Sequence, residues 1–361
     1  MQRGSRRWSP PARSAWPSSA VSGDIRIRWV QRRSWSRPSV VEVVRTKILG
    51  AGIIGLSVAD ELQRRGHAVT VVDPAPGSGA SHAAAGMLSP SAELWHGEET
   101  LLGLGRESLA LWPAFARDLG VPLHDTGTLL VGHDAGDQQQ VARQVALLRH
   151  HHAPAEELDD GSVLLPDEAS VDPRAVVRAL LARVPVVPVD PGGDHDVTIL
   201  ATGAVLPPPY SSMVRGVRGE ILRLRCDDPP PRTLRGWVHG EPIYVVPRAD
   251  GEVVVGATSE EHDAAPVVTA GGVLRLLTAA RLVWPALDRA ELVEATARDR
   301  PGTADNLPLV GPVAPGLVLA AGHYRHGVLL APLTARLVAD HLETGVVSPA
   351  LDPRRLLGGD R

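Results

Sequence analysis

The chain has 361 residues, a net charge of −4, 43% hydrophobic and 22% charged residues, the proportions of a globular protein of two or three domains. This balance excludes a fibrous or wholly disordered chain and argues against a nucleic-acid binder, and no run of eighteen apolar residues offers a membrane span. A single cysteine, Cys226, excludes an internal disulfide framework and a Cys-based metal cluster, and it fits a cytoplasmic compartment.

Residues 1–40 stand apart. Nine arginines against Asp24 give this segment a charge of +8, and it holds four of the eight tryptophans, Trp8, Trp16, Trp29 and Trp35. The remainder is therefore −12. A transit peptide, an export signal and translated upstream sequence are the three readings. The apolar stretch that an export signal needs follows neither Arg6-Arg7 nor Arg32-Arg33. With no helical or strand period, the expectation is a disordered extension over 1–42 that no fold selects. Lys47 is the only lysine among 37 basic residues, a bias of GC-rich coding that lowers the weight of any single arginine.

Val43 to Leu49 reads as a strand, followed by Gly50-Ala51-Gly52-Ile53-Ile54-Gly55 and a helix with Ile54, Val58 and Leu62 on one face. Gly66 stops it, and the apolar Ala68–Val72 run, ending at Asp73, reads as a buried parallel strand. A loop from Gly77 to Gly86 leads to helices over about 99–118 and 137–152, separated by a strand at 128–131. Asp172 and Pro173 cap and open a helix to about Arg183. A strand at 197–200, a triple proline at 207–209 and alternating strands at 219–225, 243–247 and 253–256 follow. A helix over about 272–282, a strand at 317–321 and a helix to about Leu342 complete the pattern. No internal repeat is found.

The G-x-G-x-x-G turn sits between a strand and a helix, with an acid, Asp73, at the end of the next strand. Gly50 makes the tight turn, Gly52 admits a pyrophosphate, and Gly55 lets helix and strand pack closely. The helix start at Ile53 and Ile54 offers N–H groups and a positive dipole end to phosphate, and Asp73 can accept from a ribose. The turn alone does not separate FAD from NAD.

Further segments carry a resemblance. Ser81-His82-Ala83-Ala84-Ala85-Gly86-Met87-Leu88 and Ala201-Thr202-Gly203-Ala204 resemble the two flavin-contacting motifs of the FAD-dependent amine and D-amino-acid oxidases. Ile243-Tyr244-Val245-Val246-Pro247-Arg248 with Val255-Gly256-Ala257-Thr258 resembles their substrate sheet. Arg300-Pro301-Gly302-Thr303 and Gly322-His323-Tyr324-Arg325-His326-Gly327-Val328-Leu329 complete the set. The combination, over about 43–346, looks most like the glycine oxidases of the thiamine pathway.

The resemblance implies an α/β fold: a Rossmann-like FAD-binding domain of the glutathione-reductase type, with a discontinuous α+β substrate domain built on an antiparallel sheet. The FAD part would be 43–92, 160–206 and 298–346, the substrate part 93–159 and 207–297, and 347–361 a tail. Implied FAD contacts are the glycine turn, Asp73, then Ser81, Ala84, Ala85, Gly86 and Met87. Val187 would contact the adenine; Thr202 and Gly203 would face the flavin. Gly322, Tyr324, Arg325, His326, Gly327, Val328 and Leu329 would run along the ring, aiming N–H groups at the oxygen where charge develops on reduction.

Oxidising an amine beside a carboxylate requires hydride transfer from the α-carbon, so the protein must hold the carboxylate and orient the carbon. A planar guanidinium grips a carboxylate with two parallel hydrogen bonds. The resemblance places Arg300 there with Tyr244 as phenolic donor, and Arg325 at the flavin edge or the substrate. His323 and His326 are read as shape residues, and the triplet His150-His151-His152 as a solvated helix end, so no metal is expected.

The chain also departs from the pattern. Cys226 lies away from the segment through which some relatives attach flavin, so FAD is expected to be non-covalent. Only Pro185–Thr198 stands where the family carries a β-meander of some thirty residues, which predicts a weaker hold on the adenine. Ser259 and Pro242 replace a larger apolar and a polar residue, altering the substrate size preference. The expected reaction is oxidation of glycine by dioxygen to an imino acid and hydrogen peroxide, the imine feeding thiazole synthesis. A D-amino-acid or sarcosine oxidase or dehydrogenase is the alternative, and a non-catalytic flavin-binding paralogue the alternative of another class. The family's homotetramer leaves a homo-oligomer open.

Overall fold

The computed structural model describes residues 42–357; the expected N-terminal extension lies, but for Glu42, outside the described residues. The first strand, Arg45–Leu49, sits in the middle of a six-stranded sheet. The order is Leu309–Ala314, Leu317–Ala321, Val197–Leu200, Arg45–Leu49, Ala68–Val72 and Val186–Val187. All pairs are parallel except the first. The helix Ile53–Arg64 connects its central strands and buries Leu56, Val58, Ala59 and Leu62 against them. Glu99–Leu119, Pro173–Leu181 and Ala331–Thr344 cover the same face.

The opposite face is apolar at one end only, where Leu200, Leu206, Met213, Leu309 and Leu319 cluster. At the other end Thr70, Lys47 and Thr198 stand in one cross-strand row. Lys47 Nζ lies 2.8 Å from Asp190, and Arg45 Nη2 2.8 Å from Asp196. The segment after Val187 is too short to form another layer, and the strands beneath carry polar side chains where a covered face would carry apolar ones.

The second sheet has eight strands, in the order Glu291–Gly302, Arg215–Arg225, Glu252–Gly256, Glu241–Pro247, Thr233–Val238, Thr128–Gly132, Val163–Leu165 and Glu156–Glu157. It is antiparallel except where Thr233–Val238 meets Thr128–Gly132. The helix Ala270–Val283 packs on one face through Leu276 and Ala280. The other face turns toward the flavin-motif loop: Ile221, Val246 and Val254 cluster with Ala83 and Ala85. Sheet pairing crosses two sequence boundaries. Val163–Leu165 joins the second sheet although the expected FAD part resumes at 160, and Glu291–Gly302 runs through 298.

Local chemistry explains the element starts. Asp172 accepts from Arg174 N–H, with Pro173 opening the helix. The helix read from 137 starts instead at Ala135, because Asp134 and Asp137 form a reciprocal capping box. The twelve-residue strand Glu291–Gly302 has no signal in the sequence, because its run of charges and small residues lacks a clean apolar alternation.

Candidate active site

A cavity of about 670 Å³ lies between the two sheets and runs from Gly50 and Asp73 to Tyr244 and Arg300. At the first end the glycine turn is dictated by space. Gly50 has φ +106°, and a Cβ there would stand 2.3 Å from Ala201 O; a Cβ on Gly55 would stand 2.0 Å from Gly50 O. Gly52 opens the helix with no side-chain cap. Ile53 N–H instead donates to Ser81 Oγ at 3.0 Å. Ile54 lines the cavity beside them, so the helix N-terminus faces an open space suited to an anion. Asp73 accepts from Ala51 N–H at 2.7 Å and Ala75 N–H at 2.8 Å, and each oxygen retains a lone pair for a hydroxyl.

The middle of the cavity is lined by Ser81, Ala84, Ala85, Gly86 and Met87 on one side and by Thr202 and Gly203 on the other. Gly86 has φ +78° and no room for a Cβ, which would stand 1.9 Å from Val171 O. Arg248, buried and with its basicity lowered by that burial, donates to Ala85 O and ties the second sheet to this loop. Tyr324, Arg325, His326, Gly327, Val328 and Leu329 close the far wall. The N–H groups of Gly327, Val328 and Leu329 have no acceptor among the described residues. The turn is pinned from behind, where Leu329 O accepts from Ser108 Oγ at 2.6 Å and Trp112 Nε1 at 2.9 Å. Burial pushes His323 down to about 3 and His326 to about 4, so both imidazoles are neutral. His323 Nε2 pairs with Thr334 Oγ1 at 2.9 Å, and His326 Nε2 is a buried orphan.

At the second end the strand register sets the two substrate candidates. Tyr244 pairs across to Gly256, and its phenol lies over that glycine, where a Cβ would be 2.2 Å from the hydroxyl. Burial raises the Tyr244 phenol, against a lowering by Arg300, so it stays protonated. The Arg300 guanidinium lies over Gly219. Its Nη1 makes long bonds to Thr258 O at 3.2 Å and Arg218 O at 3.4 Å, with no carboxylate partner among the described residues. Arg300 therefore keeps donors free on the cavity side.

Arg325 is differently placed. It stands 3.5 Å from Glu93 and 3.5 Å from Glu98, with the rings of Tyr324 and Trp95 at 5.2 and 5.8 Å. Glu93 also takes Arg235 Nε at 2.8 Å. Burial pushes the Glu93 carboxyl up, but Arg235 and Arg325 outweigh it and hold it at about 2. Glu93, Arg235 and the position of Gly219 beneath Arg300 have no signal in the sequence: Glu93 sits in a loop, 142 residues from Arg235, and no local pattern joins them.

Three expected contacts do not line the cavity. Gly55 packs against Gly50, Gly322 is held by lack of space beside Thr303, and Val187 uses its carbonyl to receive Asp73 N–H at 3.0 Å. Cys226 is buried in the core beneath the second sheet, away from the cavity. His150 ends its helix. The one carboxylate–imidazole cluster among the described residues, Asp134, Asp137 and His239, is the capping box plus a turn held by Asp137. No helix among the described residues is long and apolar enough to cross a membrane.

The profile of the FAD dependent oxidoreductase (DAO) family matches residues 46–341. A Rhizobium etli oxidoreductase assigned by name to thiamine biosynthesis is 36% identical over 83% of this chain and 97% of its own length. The bifunctional protein ThiO/ThiG of Trichormus variabilis is 31% identical over 84% of this chain but 53% of its own length, so the chain spans about half of that relative. The crystal structure of glycine oxidase from Geobacillus kaustophilus superposes with a TM-score of 0.75 at 28% identity, covering 84% of this chain and 96% of that one. With the glycine turn, the loop of Ser81 to Met87 and the pinned C-terminal turn gathered on one cavity, the chain belongs to the FAD-dependent oxidoreductase family.

Proposed function

We propose that the chain is an FAD-dependent amine oxidase acting on glycine, its imine product serving thiazole formation in thiamine biosynthesis. The observation that carries this reading is that Tyr244 and Arg300 present free donors to the cavity that the dinucleotide turn opens. The residues present fit FAD: an uncapped helix start, glycines with no room for a Cβ, and unpaired N–H groups at Gly327, Val328 and Leu329. FAD, when bound, supplies the acceptor of a hydride from the α-carbon and returns the electrons to dioxygen as hydrogen peroxide.

The chain's residues do the rest. Arg300 binds the carboxylate with its fork and Tyr244 donates a further bond to it, which fixes the α-carbon and exposes one C–H bond. The N–H groups of Gly327, Val328 and Leu329 would donate to FAD when it is bound. His323 and His326, neutral at working pH, shape the wall and transfer no proton.

The test is the absorbance of purified protein mixed anaerobically with glycine, sarcosine or D-alanine. Bleaching by glycine at the lowest concentration supports the reading. Preference for sarcosine or D-alanine moves the assignment within the family, and bleaching by none of them overturns it. Acid precipitation should leave the yellow colour in the supernatant, since no cysteine reaches the cavity.

A further inference from the structure

The charges that line the cavity are Asp73, Glu93, Arg298, Arg300 and Arg325. Four have work already: Asp73 faces a ribose, Glu93 neutralises Arg325, and Arg300 is reserved for the substrate carboxylate. Arg298 is left over. The phosphate-facing segments, 50–55 and 77–86, contain no lysine or arginine, yet the pyrophosphate of FAD carries two negative charges. A helix N-terminus supplies only about half a positive charge.

Arg298 stands on the second sheet, two residues before Arg300 and on the same face of the strand, roughly 7 Å along it. Its Nε donates to Ser78 O at 2.8 Å and its Nη1 to Ala297 O at 2.8 Å. Its Nη2 makes no hydrogen bond among the described residues, whose acceptors take only Nε and Nη1. Ser78 follows Gly77, whose N–H binds Ala51 O at 2.9 Å inside the glycine turn, and precedes Ser81, which holds Ile53 N–H. The guanidinium is thus fastened to the loop that closes the phosphate turn, although its strand belongs to the substrate sheet.

We propose that Arg298 is a cofactor-binding residue that supplies the counter-charge to the FAD pyrophosphate from across the two sheets, with its Nη2 as donor. The clamp offsets the thin adenine side, where Val187 does not line the cavity and the sheet face carries Lys47, Thr70 and Thr198. It also couples cofactor binding to the seating of the substrate sheet, because the side chain that meets the phosphates is two residues from the one that meets the carboxylate.

The inference rests on FAD as the occupant, and the experiment separates the two. Apoprotein of the wild type, Arg298→Ala and Arg298→Gln is titrated with FAD by flavin fluorescence at 50 and 300 mM NaCl, after circular dichroism has confirmed folding. Arg298→Gln retains an amide donor for Ser78 O and carries the test if the alanine variant does not fold. The expected result is a rise in Kd for FAD of about 10–100-fold in either variant at low salt, with a smaller rise at high salt. A Kd within threefold of wild type overturns the clamp, as does an effect confined to the KM of acidic substrates. Failure of the wild type to bind FAD overturns the cofactor reading instead.

Discussion

Gly219 is where Arg300, the proposed substrate anchor, can be moved without being removed. A Cβ built there lies 2.2 Å from Arg300 Nη1 and 2.4 Å from Cζ, against an ordinary contact of at least 3.4 Å. In Gly219→Ala the guanidinium must retreat by about 1.2 Å. The retreat costs little folding energy, because Arg300 is flexible and Gly219 has no positive φ; removing a strand glycine returns about 0.4–1 kcal/mol through the unfolded chain. Catalysis is less tolerant. A bidentate charge-assisted pair contributes about 1.5–3 kcal/mol, and displacement by about 1 Å can cost about 100-fold. The expected outcome is a Tm at or slightly above wild type, with kcat/KM for glycine reduced about 10–100-fold, mostly through KM. Arg300→Ala should lose at least as much, and the double variant Gly219→Ala/Arg300→Ala no more than Arg300→Ala alone, since both changes remove one interaction. Peroxide release over a glycine series measures all three. A Gly219→Ala enzyme within threefold of wild type, or losses that add, would refute the placement of Arg300 as anchor.

Arg300→Ala should lower kcat/KM by about 10–150-fold and Arg300→Lys should recover part, because an ammonium keeps the charge and loses the fork; Tyr244→Phe should cost about tenfold in the same peroxide assay. Glu93→Gln removes the carboxylate between two buried or half-buried guanidinium groups and should destabilise the fold by about 3–5 kcal/mol, read as a drop in urea midpoint at pH 7. Glu168, buried and accepting from Ser91 and Ala92 N–H, is pushed up by burial to about 7, against about 4.3 in an unfolded chain. Between those values the folded state keeps a proton that the unfolded state has lost, so stability falls as pH rises through this window and levels off above it. The loss relative to Glu168→Gln should reach at most about 3–4 kcal/mol by pH 8, and parallel urea curves for the two proteins at pH 5–8 would exclude it.

The parts of the site that sequence made legible are those whose causes are local. The glycine turn, Asp73 and the first helix follow from steric rules acting within thirty residues, and Asp172-Pro173 marks a helix start to the residue. The substrate end is not local. Arg300 is recognisable by its motif, but Gly219 and Gly256, which lie flat beneath Arg300 and Tyr244, come from other strands and read in isolation as ordinary strand glycines. Ser108 and Trp112 look like core positions of a long helix, and only the fold shows both donating to Leu329 O. Glu291–Gly302 reads poorly because its two faces serve different masters: Arg298 and Arg300 face the cavity, while Asp299 pairs with buried Arg218 on the reverse. A strand whose Glu294, Arg298 and Asp299 are each engaged by a partner distant in sequence has no amphipathic signature to find.

The same bookkeeping of charge constrains what the cavity accepts. At the substrate end Glu93 and Glu98 balance Arg235 and Arg325, Tyr244 is a neutral phenol, and both histidines are neutral. One positive charge, Arg300, remains, which matches one carboxylate. A substrate that kept its ammonium would place a cation beside Arg300 and Arg325, with no free carboxylate to receive it, because Glu93 is engaged by two arginines and held at about 2. Under the proposed reaction the site therefore favours the form of the amino acid with a neutral amine, whose nitrogen lone pair can stabilise the carbon as hydride leaves. The proton is lost to solvent on entry, and no protein base is required at the α-carbon.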